Sequence, residues 1–330
     1  SGDKATGYGL KDKLLFKNSI KYLQSLQQPF YAKYITVTNH FPYTLDDEDK
    51  DPNFQTTNTG DSNVDNYFVT AHYLDQSIQE FFNYLQKTGL DKKSIIMIYG
   101  DHYGISNSEN TSLASVLGKS ADDWTDFDNA QLQRVPLMFV IPGTGHGKVY
   151  HTYGGEVDVL PTLLHLLGIS SKRYIQFGTD LFSSKHNQVV AFRNRDFVTP
   201  TYTSVGGTIY NNKTGKEAKL TKKQQEKLKK DQDFVNEELT LSDSLNEKNL
   251  LRFYHPKGFK NVNPADYNYS NGLKRAQRIE KKKGIKSTSI YSENGDRSTV
   301  DDYSTDAPEQ SHSSTDSNRI KITNPDANNK

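Results

Sequence analysis

Ser94 to Gly104, SIIMIYGDHYG, set a carboxylate and an imidazole side by side, Asp101 and His102, directly after an apolar run. An ionised carboxylate beside a neutral imidazole is half of a metal site: a hard oxygen and a borderline nitrogen that suit Mn²⁺, Zn²⁺ or Mg²⁺ once other groups complete the shell. The plain alternative is an aspartate that caps a turn and a loop histidine satisfied by its neighbours. A second histidine stands in a similar setting. Tyr31 to Thr38 reads as a strand, and it ends in Asn39-His40 before Pro42.

The elements that would position these residues follow from the apolar spacing. Ile, Met, Ile and Tyr ahead of Gly100 read as a strand covered on both faces, as in a parallel sheet between helices, where ligands gather outside the carboxyl ends of strands. Between the two histidine-bearing strands, apolar residues from Tyr67 to Leu85 recur at three- and four-residue steps and Gly89 follows, which predicts an amphipathic helix over 65–87. Strand, helix, strand is then a right-handed βαβ unit. Parallel strands carry their carboxyl ends on one side, so His40 and Asp101-His102 should emerge together.

Other parts of the chain carry weaker signals. Lys11 to Leu26 predicts a short helix, Val135 to Gly143 a third strand, and GGEVDVLPTLLHLLGI a helix with Pro161 in its first turn and Gly168 as its stop. His165, among leucines, reads as a packing residue, and His72 as a surface one. LDDEDKD reads as a solvated turn, because it lacks the alternation and glycine of a calcium loop. GTGHGK fails as a phosphate loop: it is one residue short, and Val follows Lys148. Gly206-Gly207 and Asn212 to Gly215 predict antiparallel hairpins, and Thr221 to Gln224 a capping box that opens a charged helix to about Glu238.

Composition removes several function classes. The 330 residues carry 41 Lys and Arg against 40 Asp and Glu, so no global field draws the chain to nucleic acid or to an anionic surface, and any charged ligand must be bound locally. There is no cysteine, hence no disulfide, thiolate metal site or cysteine nucleophile. No apolar run of about 18 residues is present. The first residue is Ser, from which we expect a piece of a longer protein, and the absence of cysteine would suit an exported bacterial one.

Taken together, GYGLKDK, TVTNHFPYTL, IIMIYGDHYGIS, GGEVDVLPTLLHLLGI, FGTDLFS and FRNRDFV closely resemble, in order and separation, the extracellular domain of lipoteichoic acid synthases. The resemblance runs from about Gly7 to Tyr269. It implies a sulfatase-like α/β fold of the alkaline phosphatase superfamily, with a mostly parallel sheet between helices and the N-terminal part of that fold absent. It also implies transfer of glycerol phosphate from phosphatidylglycerol to glycolipid-anchored polyglycerol phosphate, at the extracellular face of the cell membrane or after release by cleavage. Nucleic acid is not an expected partner. Asp101 and His102 match the family's metal-binding pair, for Mn²⁺ or Mg²⁺, and His40 matches a histidine that contacts the substrate phosphoglycerol. The family's nucleophilic Thr and its Glu ligand lie upstream of the phrase that begins at Gly7, so no catalytic nucleophile is expected here. Thr36 and Thr38 sit where no family nucleophile does, and the chain alone should be inactive.

The resulting organisation is a catalytic portion over 1–188, a small antiparallel sheet with a helix over 189–270, and a disordered polar tail over 271–330. Two alternatives remain open at this point: a phosphodiesterase- or sulfatase-like hydrolase of the same superfamily, and a non-catalytic module bound to wall or membrane.

Overall fold

The computed structural model describes residues 5–310, apart from 146 and 173. A short strand pair, β1 (Ala5–Thr6) and β2 (Gly9–Leu10), leads directly into α1 (Asp12–Leu23). Phe16, Ile20 and Leu23 form one stripe of α1, and that stripe packs on Tyr84 and Leu85 at the far end of α2 (Ser62–Lys87) and on Leu90 just beyond it. α2 begins where the Asp61 carboxylate accepts the amides of Asn63 and Val64, two donors a helix start leaves unpaired. It stops before Gly89, whose φ of 72° is a left-handed conformation that favours glycine.

Next come β3 (Ile96–Tyr99), α3 (Asp126–Gln131), β4 (Leu137–Val140) and α4 (Val159–Leu166). A five-stranded meander follows: β5 (Val190–Ala191), β6 (Phe197–Val198), β7 (Tyr202–Val205), β8 (Thr208–Asn211) and β9 (Lys216–Glu217), every neighbouring pair antiparallel. Gly206 and Gly207 join β7 to β8 with φ of 58° and 81°, as a two-residue hairpin turn with two left-handed positions demands. The Thr221 capping box starts α5 (Lys222–Glu247), which lays Leu228 and Val235 on Val189 and Phe197 of this sheet. α5 runs nine residues past the predicted end, because nothing in its polar last turns forces a stop.

Three expectations change. Tyr31 to Val37 form no strand and join no ladder among the described residues, and Thr38 already lies in a turn. The Asp12 carboxylate instead accepts the amides of Val37 and Thr38 at 2.9 and 3.3 Å, doing for the backbone what a neighbouring strand would do. β3 and β4 pair antiparallel rather than parallel, Ile96 opposite Val140 and Tyr99 opposite Leu137. The insertion between them returns to the end where β3 stops, and the Gly100 amide donates to the Pro136 carbonyl at 3.1 Å to continue the ladder.

The largest correction concerns residues 271–330, predicted to be a disordered tail. Through residue 310 they are structured. α6 (Tyr269–Lys283) and α7 (Ile290–Glu293) are followed by a strap that returns to the first core. Ile290 and Tyr303 pack among the α1 and α2 residues, and the Thr299 amide donates to Gln24 Oε1 at 2.7 Å. Average composition hides two well-placed apolar side chains and a set of polar anchors. Residues 311–330 lie outside the described residues. Among the described residues, no helix is long and apolar enough to cross a membrane.

Candidate metal and phosphate site

β3 delivers Gly100, Asp101 and His102 to its carboxyl end. A Cβ on Gly100 would lie 2.8 Å from the Cβ of Val135, so only glycine lets the chain turn there against β4. Both functional side chains beyond it are open to solvent, Asp101 72% and His102 55% exposed. His102 Nδ1 lies 2.7 Å from the Tyr103 carbonyl, which can only accept. Nδ1 therefore carries the proton, and Nε2 keeps its lone pair. That Nε2 stands 3.8 Å from Asp101 Oδ1.

His40 arrives by a different route from the predicted one, with the same result. Its ring centroid is 5.5 Å from that of His102, the two planes nearly perpendicular at 87°. His40 Nδ1 lies 2.9 Å from the Phe41 carbonyl, so its Nε2 is also the lone-pair nitrogen. The segment carrying it is held at three points. Asp12 binds the amides of Val37 and Thr38; the Thr70 hydroxyl of α2 donates to Asn39 Oδ1 at 2.8 Å; and the Tyr43 amide donates to the His40 carbonyl at 2.8 Å. Tyr43 then crosses to the other loop, its hydroxyl donating to the Gly104 carbonyl at 2.5 Å. Burial pushes the Tyr43 phenol up to about 12, with Tyr67 and Glu109 adding to the effect, so it stays a donor at any physiological pH.

The structure adds residues that sequence reasoning missed. The Tyr8 ring lies 4.4 Å from that of His40, tilted by 57°, and Tyr8 belongs to the quoted phrase GYGLKDK, which was the available signal. Tyr43 likewise lies in the quoted phrase TVTNHFPYTL, whereas Thr70 had no signal, because it acts through tertiary contact alone. Gly104 lets the Tyr67 ring approach to 2.5 Å from where its Cβ would stand. A cavity of about 250 Å³ adjoins the site through Tyr103 and is also lined by Phe192, Arg193 and Asn194 of the small-sheet region.

Asp101 and His102 suit a divalent cation as two donors of a larger set. Two atoms each about 2.1 Å from one ion at a tetrahedral angle stand about 3.4 Å apart, a few tenths of an ångström closer than this pair. Among the described residues no group of three or more His, Cys, Asp and Glu gathers to hold a metal, so the rest of the shell must come from other groups. Thr38 is no nucleophile: it is 1% exposed, and its Oγ1 accepts the Asp12 amide at 2.9 Å.

The other predicted site-like features resolve differently. His165 is not packed among leucines; it is 59% exposed and lies 2.8 Å from Asp180. His72 stacks on Phe54 at 4.2 Å and pairs with Asp51 at 3.0 Å. LDDEDKD is only partly solvated. Lys11, buried at the start of α1, donates to Asp46 at 2.7 Å, to Glu309 of the strap at 2.8 Å, and to Asp49. Burial works against the Lys11 charge, but the three carboxylates outweigh it and hold its pKa above the ordinary value. Asp49 is pushed up by its own burial, since three acids share one cation. A cavity of about 300 Å³ beside this cluster is lined by Lys13, Asp49, Asp51, Gln76 and Asp306, and none of the residues around His40 reaches it.

Comparison with known proteins places this geometry. The sulfatase family model matches residues 2–169. Over 268 residues the chain is 53% identical to lipoteichoic acid synthase 2 of Bacillus subtilis, a match that covers 81% of this chain and 40% of that protein. It is 45% identical over 274 residues to lipoteichoic acid synthase of Staphylococcus aureus, covering 83% of this chain and 41% of that one. The chain thus spans about two fifths of the length of these curated relatives. The crystal structure of the lipoteichoic acid synthase LtaP from Listeria monocytogenes superposes with a TM-score of 0.63 at 25% identity, over 78% of this chain and 63% of that one. A protein of the alkaline phosphatase superfamily from Vibrio parahaemolyticus shares the fold, with a TM-score of 0.52 at 17% identity. The α/β sulfatase and alkaline-phosphatase-like fold class is the one the sequence implied.

Proposed function

The chain belongs to the sulfatase family, and on that premise we propose that it carries the metal-binding pair and a phosphate contact of a phosphoglycerol transferase like the lipoteichoic acid synthases it resembles. The reaction is transfer of glycerol phosphate from phosphatidylglycerol to glycolipid-anchored polyglycerol phosphate, at the extracellular face of the cell membrane. The observation that supports it best is the convergence of His40 on Asp101 and His102 from a separate segment, with ring centroids 5.5 Å apart.

Asp101 and His102 would hold Mn²⁺ or Mg²⁺, which when bound supplies charge neutralisation for the phosphoryl group and a lowered pKa for an attacking hydroxyl. The Tyr103 carbonyl fixes the tautomer that presents His102 Nε2. His40 Nε2 can accept a proton from a hydroxyl or, once protonated, donate to a phosphoryl oxygen; such a group contributes about 10² to 10⁴ in rate. Tyr8 packs against the His40 ring and limits its rotation. We assign no nucleophile to this chain, and the chemistry sits in 1–188 with the 189–270 unit appended.

The test is diacylglycerol release from a fluorescent phosphatidylglycerol in Mn²⁺ by the enzyme that contains this chain. His40→Ala and Asp101→Ala should each lower turnover at least about a hundredfold; near-normal turnover in either overturns the assignment. The sulfatase match also favours a second reading, hydrolysis. Adding a glycerol-phosphate acceptor separates the two: a hydrolase releases diacylglycerol at an unchanged rate and leaves the acceptor unextended.

A further inference from the structure

The surface built by residues 250–286 is unlike the rest of the molecule. It holds ten Lys and Arg against two acids, whereas the whole chain balances 41 against 40, so the remainder is net acidic. α6 turns Leu273, Ala276 and Glu280, at three- and four-residue spacing, toward the body, where Gln27 donates to Glu280 at 2.8 Å. Its other positions, Lys274, Arg275, Arg278, Lys281 and Lys282, are all exposed. The same segment carries large apolar side chains without cover: Phe253, Phe259, Val262, Tyr269 at 83% exposure, and Ile285, fully exposed. The two features occur on one continuous segment, where the strap beyond it is packed down and the small sheet before it is closed by α5.

We propose that this face docks on a membrane surface rich in anionic lipid. Cationic side chains near such a surface are attracted by its negative potential, and aromatic or aliphatic side chains beside them enter the headgroup region. A soluble polyanion would explain the basic residues but not exposed Ile285, Val262 and Phe253, which gain only by leaving water. The face lies at the Tyr22 end of α1, in contact through Tyr22 and Tyr269 at 5.7 Å, while His40 is tied to the Asp12 end. Asp12 and Tyr22 are ten residues apart in α1, so the two anchor points are separated by about 15 Å along its axis. The surface holds the domain at the membrane and does not itself present lipid to His40. The inference stands on charge and exposure, separately from the chemistry assigned to Asp101.

Sedimentation with vesicles of phosphatidylcholine, with and without 30% phosphatidylserine, tests it, since phosphatidylserine is not the proposed substrate. The unmodified chain should bind the anionic vesicles at least about tenfold more tightly than the neutral ones and lose most of that preference on raising salt from 0.05 to 0.5 M. The variant K274Q/R275Q/R278Q/K281Q/K282Q, which keeps good helix formers on an exposed face, should lose the preference. F253S/I285S should weaken binding about threefold or more, and Asp101→Ala should bind as the unmodified chain does. No preference for anionic vesicles overturns the proposal. So does unaltered binding by F253S/I285S together with full competition by soluble polyglutamate, which would make this a polyanion-binding face.

Discussion

Lys11 and the Asp101-His102 pair are both concentrations of charge placed at the end of a secondary element, and they have opposite environments. Around Lys11, the ion and two of its three counter-ions are dry: the lysine, Asp49 and Glu309 have almost no exposed side-chain surface, Asp46 is half exposed, and every lysine hydrogen is committed. Around Asp101, carboxylate and imidazole are wet, 3.8 Å apart, and hydrogen-bonded to no other side chain among the described residues. Charge withdrawn from water must be paired to exist at all. Charge left in water with its lone pairs free is available to a ligand. The contrast separates a structural clasp, which fastens the strap onto α1, from a site.

Breaking the clasp should give the largest effect. Lys11→Met leaves buried carboxylates without their cation and should cost about 3–5 kcal/mol in urea unfolding. Adding Asp49→Asn and Glu309→Gln to that variant should recover much of the loss. A cost under about 1 kcal/mol for Lys11→Met would show that the cluster is not desolvated in solution. Since the lysine pKa is raised on folding, its contribution is fully present below the unfolded value of about 10.4 and is lost only as pH rises through the higher folded one.

A smaller effect is expected at Gly104, where the site loop meets α2. Gly104→Ala drives a methyl into the Tyr67 ring and should cost about 1–3 kcal/mol while displacing the Tyr43 contact. A melting temperature equal to that of the parent chain would mean the ring yields freely.

Next is a pH effect at Asp12. Burial raises its pKa, opposed by the amides of Val37 and Thr38. The folded state then binds the proton more tightly, so Asp12 contributes stability below the unfolded value of about 4, lost as pH rises through the folded value. Asp12→Asn should therefore gain relative to the parent between pH 4 and pH 7 in urea midpoint, and a difference independent of pH would remove burial as the cause. Asp128 behaves in the reverse sense. Burial opposes, but Lys119 and Thr125 outweigh it and lower its pKa, so its stabilisation is present above the unfolded value and lost as pH falls through the folded one. The smallest expected change is the stability of Asp101→Ala, within about 0.5 kcal/mol of the parent, because its carboxylate supports nothing in the fold.

Residues with local signals were legible in the sequence and residues defined by distant partners were not. The periodicity from Tyr67 to Leu85, the Thr221 capping box and Gly206-Gly207 each describe a structure that closes within a few residues. The clasp joins Lys11 to Glu309 across 298 positions, and no local pattern announces it. The same reason explains the tail: Ile290 and Tyr303 look sparse in sequence and are buried only because α1 and α2 are already packed. His40 was placed beside His102 through an assumed parallel strand, and the structure brings it there through Asp12, Thr70 and Tyr43 instead. His165 shows the opposite hazard, since leucine neighbours in sequence said nothing about which way its ring turned.

The central claim is that Asp101 and His102 are exposed because they await a cation. Water-proton relaxation with Mn²⁺ reads binding directly, without any turnover. Binding by two donors should be weak, with Asp101→Ala and His102→Ala each losing at least about tenfold in affinity, and Lys11→Met, measured where it is folded, losing none. Unchanged Mn²⁺ affinity in both site variants, or a loss confined to the Lys11 cluster, would contradict the account.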